Sequence, residues 1–241
     1  MACAQRVHVR LRAGSLICSS PSHLLLWFES NGSHRHRRVT LPDSARDAAR
    51  RSLRAGLVAR RRAVTPGERA HAARRVAENA DRFLHLKSHW RIAAYAALPG
   101  ELDAAPLIER ARERGCRVYV PRIDRPRSSR AMRFLELDGR LRRNRLGIEE
   151  PENTGVIGAR WLDVVFLPLV GFDRFGLRLG AGGGFYDRAF AFRHARNFWH
   201  VPRLVGIAYA FQELERIEPA AHDVPLDAVI TEKGVVRCVT G

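Results

Sequence analysis

The segment Leu167–Arg188, LPLVGFDRFGLRLGAGGGFYDR, carries the densest chemistry of the chain. An apolar run gives way to a loop holding Gly171, Gly176, Gly180, Gly182, Gly183 and Gly184, and a helical pattern starts near Phe185. Glycine admits positive φ and, lacking Cβ, lets the backbone close on a ligand. Between a strand end and a helix start, such N–H groups make an anion site. Arg178 adds a fixed cation for phosphate oxygens and Asp187 a hard oxygen for Mg2+. Phe185 and Tyr186 offer aromatic surfaces to a planar ligand. The chemistry suggested is that of a phosphate-bearing ligand. Two familiar glycine signatures do not fit. A Walker A loop ends in Gly-Lys-Ser/Thr, and no lysine is present; G-x-G-x-x-G counted from Gly180 meets Phe185 where the last glycine belongs. Two plainer readings stay open: a surface loop whose glycines only make turns, and an Asp187 favoured merely by a helix dipole.

Regular signals for the elements that position this loop begin at Ser44. Ser44 with Asp47 reads as a capping-box start, and Ala45, Ala49, Leu53 and Leu57 follow on one helical face. Arg50 and Arg54 lie one turn apart, so both could reach one phosphate, or form a solvated basic face. Thr65-Pro66-Gly67-Glu68 is a second helix start with proline at its first position. Strands are expected at 91–98, 116–120, 132–137, 162–170, 204–208 and 228–231. A helix over 105–114 would be capped by Asp103 and ended by Gly115. The apolar run Leu162–Val170 suits a strand buried on both faces. Alternating strands and helices predict an α/β fold with a parallel-type sheet and helices on both faces. Residues 45–241 are expected to form one domain.

Residues 1–44 differ, with six arginines, seven serines and only two acids. An Arg- and Ser-rich, acid-poor leader resembles an organellar transit peptide; a basic tail and a translation start further along the chain are the other readings. A dispensable leader or a later start is favoured over a functional tail. Hydrophobic residues make up 46% of the chain, which excludes disorder throughout. No apolar stretch is long enough for a membrane-spanning helix. The four cysteines stand alone, arguing against a disulfide framework or zinc site and for an intracellular, cytoplasmic protein. The formal charge of +17 suggests a polyanionic partner, yet Lys87 and Lys233 are the only lysines, so arginine-rich coding bias explains much of the excess equally well.

The glycine segment resembles the 5-formyltetrahydrofolate cyclo-ligase (5,10-methenyltetrahydrofolate synthetase) family. That family's hallmark is a proline after an apolar strand, then G-x-D-x-x-G-x-R-L-G-x-G-x-G-[YF]-Y-D. Pro168, Gly171, Asp173, Gly176, Arg178, Leu179, Gly180, Gly182, Gly184, Phe185, Tyr186 and Asp187 match it. The likeness extends over about 46–235, through Arg50–Arg54, Arg60, Tyr95, Glu101–Asp103, Gly147-Ile148 with Glu150-Pro151, and His222-Asp223 with Asp227. Residues 1–44 lie outside it. The resemblance implies a three-layer α/β/α fold with a mostly parallel sheet, similar to the NagB/RpiA/CoA-transferase-like fold. It also implies ATP-dependent closure of 5-formyltetrahydrofolate to 5,10-methenyltetrahydrofolate, releasing ADP and phosphate. Its implied site has Arg178 and Tyr186 in catalysis, and Arg50, Arg54, Gly180, Ala181, Gly182, Gly183, Gly184, Phe185, Asp187 and Arg188 around ATP. Asp187 would lie near Mg2+, and Glu101 and Tyr186 would face the folate. A lysine is common at the Arg50 position, and arginine there reaches differently. A monomer is expected, with no membrane partner.

The main alternative is an RNA-binding protein using the arginines of 46–62 and 140–145. Against it, no known binding module is present and aromatics are not interleaved with the basic runs. A nicotinamide-dependent oxidoreductase is a third reading, weakened by the glycine spacing.

Overall fold

A computed structural model describes residues 8–11, 14–20, 23–26, 43–123, 132–137, 141–143, 149–151, 155–194 and 202–239. The chain divides into two compact units, Met1–Ala55 and Gly56–Gly241. In the first, β1 (His8–Leu11), β2 (Gly14–Ser20) and β3 (His23–Leu26) form an antiparallel meander. Helix α1 (Asp43–Arg62) starts there and takes in Ser44, so it begins one residue before the expected cap.

The second unit is built on an eight-stranded sheet. Its helix α2 (Pro66–Leu84) starts as its sequence foretells: the Thr65 hydroxyl accepts from the Glu68 amide, and a Glu68 carboxylate oxygen accepts from the Thr65 amide at 2.9 Å. Next come β4 (Arg91–Ala93), α3 (Ala105–Glu113), β5 (Arg117–Ile123) and β6 (Met132–Glu136). A small hairpin of β7 (Leu141–Arg143) and β8 (Glu149–Pro151) follows; Gly147-Ile148 lies outside the described residues, as do Arg140 and Arg145. The chain continues through β9 (Val156–Ile157), β10 (Val164–Pro168), β11 (Gly171–Phe172), β12 (Arg178–Leu179) and α4 (Phe185–Ala189). It ends with β13 (Arg203–Ile207), β14 (Ala228–Thr231) and β15 (Gly234–Arg237).

The strand order is β15-β14-β13-β10-β4-β5-β6-β9. From β14 to β5 every neighbouring pair is parallel, while β15, β6 and β9 pair antiparallel at the edges. The sheet is thus mostly parallel, as the alternation of elements requires. Its strands alternate between two apolar layers. Ile92, Val118, Val164, Phe166, Val205 and Ile230 meet α2 and α3 on one face. Ala93, Tyr119, Val165, Leu167, Leu204 and Val229 share the other with Phe134 and Phe190, beside α4 and the 3₁₀ turn Ala191–His194. That face has only one short helix among the described residues. Burial on both sides explains the unbroken apolar reading of β10.

Several boundaries differ from expectation. Strand β4 stops at Ala93, because after Ala94 the chain turns through Leu98–Glu101, with the Glu101 amide on the Leu98 carbonyl and Gly100 at φ +87°. The N-cap of α3 is Ala104; Asp103 stands just before it and accepts the Ala105 amide at 3.0 Å. The strand expected over 162–170 spans Val164–Pro168, and part of the glycine-rich segment after it pairs as the β11–β12 hairpin. Among the described residues, no helix is long and apolar enough to cross a membrane.

Candidate active site

The glycine segment leaves the carboxyl end of β10 at the centre of the sheet. Asp173 shapes the hairpin that opens it. The Asp173 side chain is fully buried, and its carboxylate accepts three backbone N–H groups, from Phe175, Leu177 and Ile217, at 2.8 to 3.0 Å. Such a carboxylate is a scaffold for the turn rather than a group free for chemistry. Gly176 completes it: a Cβ there would lie 2.6 Å from the Leu226 carbonyl oxygen.

The loop proper, Ala181–Gly183, is exposed, and among the described residues its three amides donate to no protein acceptor. Gly184 caps α4 in the left-handed region at φ +60°. With five residues, α4 contributes one turn and a small dipole, so the loop amides themselves are the larger part of any anion cradle. Arg188 folds back over the loop, donating to the Gly183 carbonyl at 2.7 Å with its guanidinium over the Phe185 ring.

Arg178 is nearly buried, its side chain 7% exposed. It donates from Nη2 to the Asp187 carboxylate at 2.5 Å and from Nη1 to the Val224 carbonyl, while the Val224 amide donates to the same Asp187 oxygen at 3.2 Å. Burial pulls the guanidinium below its ordinary pKa, and Asp187 and then Asp223 oppose that pull. The pair therefore ties the hairpin, α4 and residues 223–224 together. Asp223 also shapes its own turn, accepting the Ala220 amide at 2.8 Å.

The sequence places Glu101 and Tyr186 far apart, and the fold brings them within electrostatic reach. Burial pushes the Tyr186 phenol well above its ordinary pKa; the Glu101 carboxylate adds to the rise and Arg178 opposes it. Tyr95 belongs to the same group: its hydroxyl donates to the Leu102 carbonyl at 2.7 Å, and its pKa rises through burial, then Glu101 and Tyr186. Glu101 also accepts the Leu98 amide at 3.0 Å. Arg50 and Arg54 lie on α1 in the first unit.

Three residues beside this group carried no separate sequence signal. Gln212 donates to the Leu169 and Val170 carbonyls, Arg61 donates to Leu169, and Tyr209 is buried close to Gln212 in the chain. The run Arg60-Arg61-Arg62 gave no means of telling its one buried member from its two exposed ones. Among the described residues no cluster of three His, Cys, Asp or Glu side chains could hold a metal ion. This donor set does not fit a resident metal centre. A surface cavity of about 310 Å³, lined by Asp81, Arg82, His85, Leu86 and Arg114, shares no residue with the loop.

A central parallel strand running into a glycine loop places this chain among the α/β proteins whose ligand chemistry gathers at the carboxyl ends of the strands. Comparison with known proteins narrows that class. The family model described as the 5-formyltetrahydrofolate cyclo-ligase family matches residues 46–232. The 5-formyltetrahydrofolate cyclo-ligase of Escherichia coli K12 is 36% identical over 181 residues, spanning 73% of this chain and 96% of that protein. The NMR structure of the Aquifex aeolicus 5,10-methenyltetrahydrofolate synthetase superposes with a TM-score of 0.67 at 28% identity, covering 80% of this chain and 94% of that one. The Mycoplasma pneumoniae synthetase shares the fold, with a TM-score of 0.60 at 24% identity over 76% of this chain and 98% of that one. This chain belongs to the 5-formyltetrahydrofolate cyclo-ligase family, a family of ligase enzymes. These matches lend no support to an RNA-binding role.

Proposed function

We propose that this protein closes 5-formyltetrahydrofolate to 5,10-methenyltetrahydrofolate with hydrolysis of ATP to ADP and phosphate. The observation that carries the reading is the glycine loop at the end of β10, where the amides of residues 181–183 have no acceptor among the described residues and the Arg178–Asp187 pair lies beneath. The formyl oxygen is a poor leaving group and its carbon a weak electrophile. Attack of that oxygen on the γ-phosphorus expels ADP and leaves an iminium phosphate. The neighbouring folate amine then adds to the carbon and loses its proton, and the C–O bond breaks to release phosphate. Each step needs alignment and charge neutralisation more than a covalent side-chain nucleophile.

In this reading Gly180–Gly184 and Phe185 cradle the phosphates, with Arg188 as a further cation. Arg178 acts from below the loop, holding Asp187 where a Mg2+ ion carried by ATP would pass. Glu101 and Tyr186 face the folate. Tyr186 stays protonated at neutral pH, so its hydroxyl can donate a hydrogen bond. The domain meant is 45–241, acting as a monomer in the cytoplasm. The test is spectrophotometric: purified protein, 5-formyltetrahydrofolate and Mg-ATP should give the near-ultraviolet absorbance of the methenyl product only when ATP is present. Folded protein with no such rise would overturn the reading.

A further inference from the structure

Two buried donor atoms, Arg61 Nε beside the end of β10 and the Tyr209 hydroxyl just after β13, have no acceptor among the described residues. Arg61 is 8% exposed; its Nη1 reaches the Leu169 carbonyl at 3.2 Å, its Nε has no partner, and no carboxylate pairs with it. Tyr209 is 3% exposed, and its hydroxyl is likewise without a hydrogen bond. A buried guanidinium without a counter-ion is costly, and an orphaned buried donor adds to that cost.

The two belong to one linked group. Gln212 donates to the same Leu169 carbonyl as Arg61 and accepts the Tyr209 amide at 2.8 Å. The phenols of Tyr95 and Tyr209 both feel the Arg61 charge, and Tyr95 also feels Glu101 and Tyr186. Ligands of open α/β sheets gather at this edge of the strands. The fold itself does not require the Tyr209 hydroxyl, since a phenylalanine would fill the same space.

We propose that Arg61 and Tyr209 form a donor pair that receives an oxyanion of the reacting complex, a phosphate or carboxylate oxygen. An oxyanion supplies both missing features, an acceptor for each donor and a negative charge for the cation. The inference rests on the ligase reading and deepens it by adding two ligand contacts to the site. The oxygen has two sources, the transferred phosphoryl group and the folate carboxylates.

The test uses the full chain with Tyr209→Phe and Arg61→Lys. Tyr209→Phe should leave the melting temperature unchanged, because no partner is lost in the free protein. It should weaken binding of one ligand about tenfold, the effect of one charge-assisted hydrogen bond. Mg-ATP and 5-formyltetrahydrofolate are titrated separately by calorimetry. Loss on the Mg-ATP arm assigns the oxyanion to phosphate, and loss on the folate arm assigns it to carboxylate. Arg61→Lys, which keeps the charge but lacks Nε, should weaken the same arm. Unchanged binding and unchanged kcat/KM in both variants of an active enzyme would remove the donor pair and leave the ligase reading intact. If wild type turns over neither substrate, inorganic phosphate becomes the probe. A rise in melting temperature with phosphate in wild type but not in Tyr209→Phe then supports the pair, and an equal or absent rise overturns it.

Discussion

The Arg178 guanidinium meets the Asp187 carboxylate at 2.5 Å, with side chains 7% and 19% exposed, and both groups also bind the backbone of Val224. These two residues of the proposed site are therefore bonded to each other in the free protein. Removing one leaves a largely buried charge behind, which typically costs about 3–5 kcal/mol. Arg178→Met and Asp187→Asn should each lower the melting temperature as well as turnover. A double-mutant cycle measured by chemical denaturation should show coupling, the double variant losing less than the sum. Strict additivity would mean the two side chains act separately.

Glycines 176, 184 and 180 should separate three effects. An alanine at Gly176 drives a Cβ against the Leu226 carbonyl and should destabilise strongly, by roughly 2 kcal/mol or more. Gly184→Ala places a side chain at φ +60°, at a cost of about 1–2 kcal/mol. At Gly180 an added methyl would meet nothing within 4 Å, and the φ there is ordinary. Gly180→Ala should keep the stability of the parent and raise the KM for ATP, as read from urea melts beside initial rates.

Alkaline stability follows from Tyr186. Its folded pKa lies above the unfolded value of about 10, since burial disfavours the phenolate and Glu101 disfavours it further. The unfolded chain therefore gives up this proton first. The contribution is fully present below pH 10 and is lost as pH rises beyond it. Melting temperatures by circular dichroism should fall above pH 10 in the parent and fall less steeply in Tyr186→Phe.

The cap of α2 offers a control distant from any chemistry. Thr65→Ala removes the acceptor of the Glu68 amide and the hydroxyl that donates to Glu68 at 2.7 Å. A loss of about 1 kcal/mol in stability is expected. Turnover at 25 °C should stay at the parent value, and a large loss of kcat would show that α2 helps to shape the site.

Much of the fold could be read from residues near one another in the chain. Thr65, Pro66 and Glu68 start a helix because their side chains and ring satisfy or omit amides within one turn. The strand at Ala228–Thr231 has its expected bounds, and β10 reads as buried because both of its faces meet apolar layers. Less legible were β15 and the β11–β12 hairpin. The residues of β15, Gly234–Arg237, are mixed in polarity, and they pair only because a turn folds them onto β14. Leu169 and Val170 read as the end of one strand and the residues after them as a glycine-rich loop, yet Asp173 gathers three amides and bends the chain into a hairpin.

By itself, the sequence determined the helix starts and the central strands, because capping and apolar periodicity are local properties, and its long glycine motif carried the family resemblance. The tertiary structure decided the partners. It set Arg178 on Asp187 and Val224 rather than leaving it open above the loop, and it brought Glu101 to Tyr186 across 85 residues of chain. It also separated buried Arg61 from exposed Arg60 and Arg62, three identical residues in a row. The reason is physical: desolvation and charge pairing depend on distances through space, and those are set only when the sheet and its two apolar layers close.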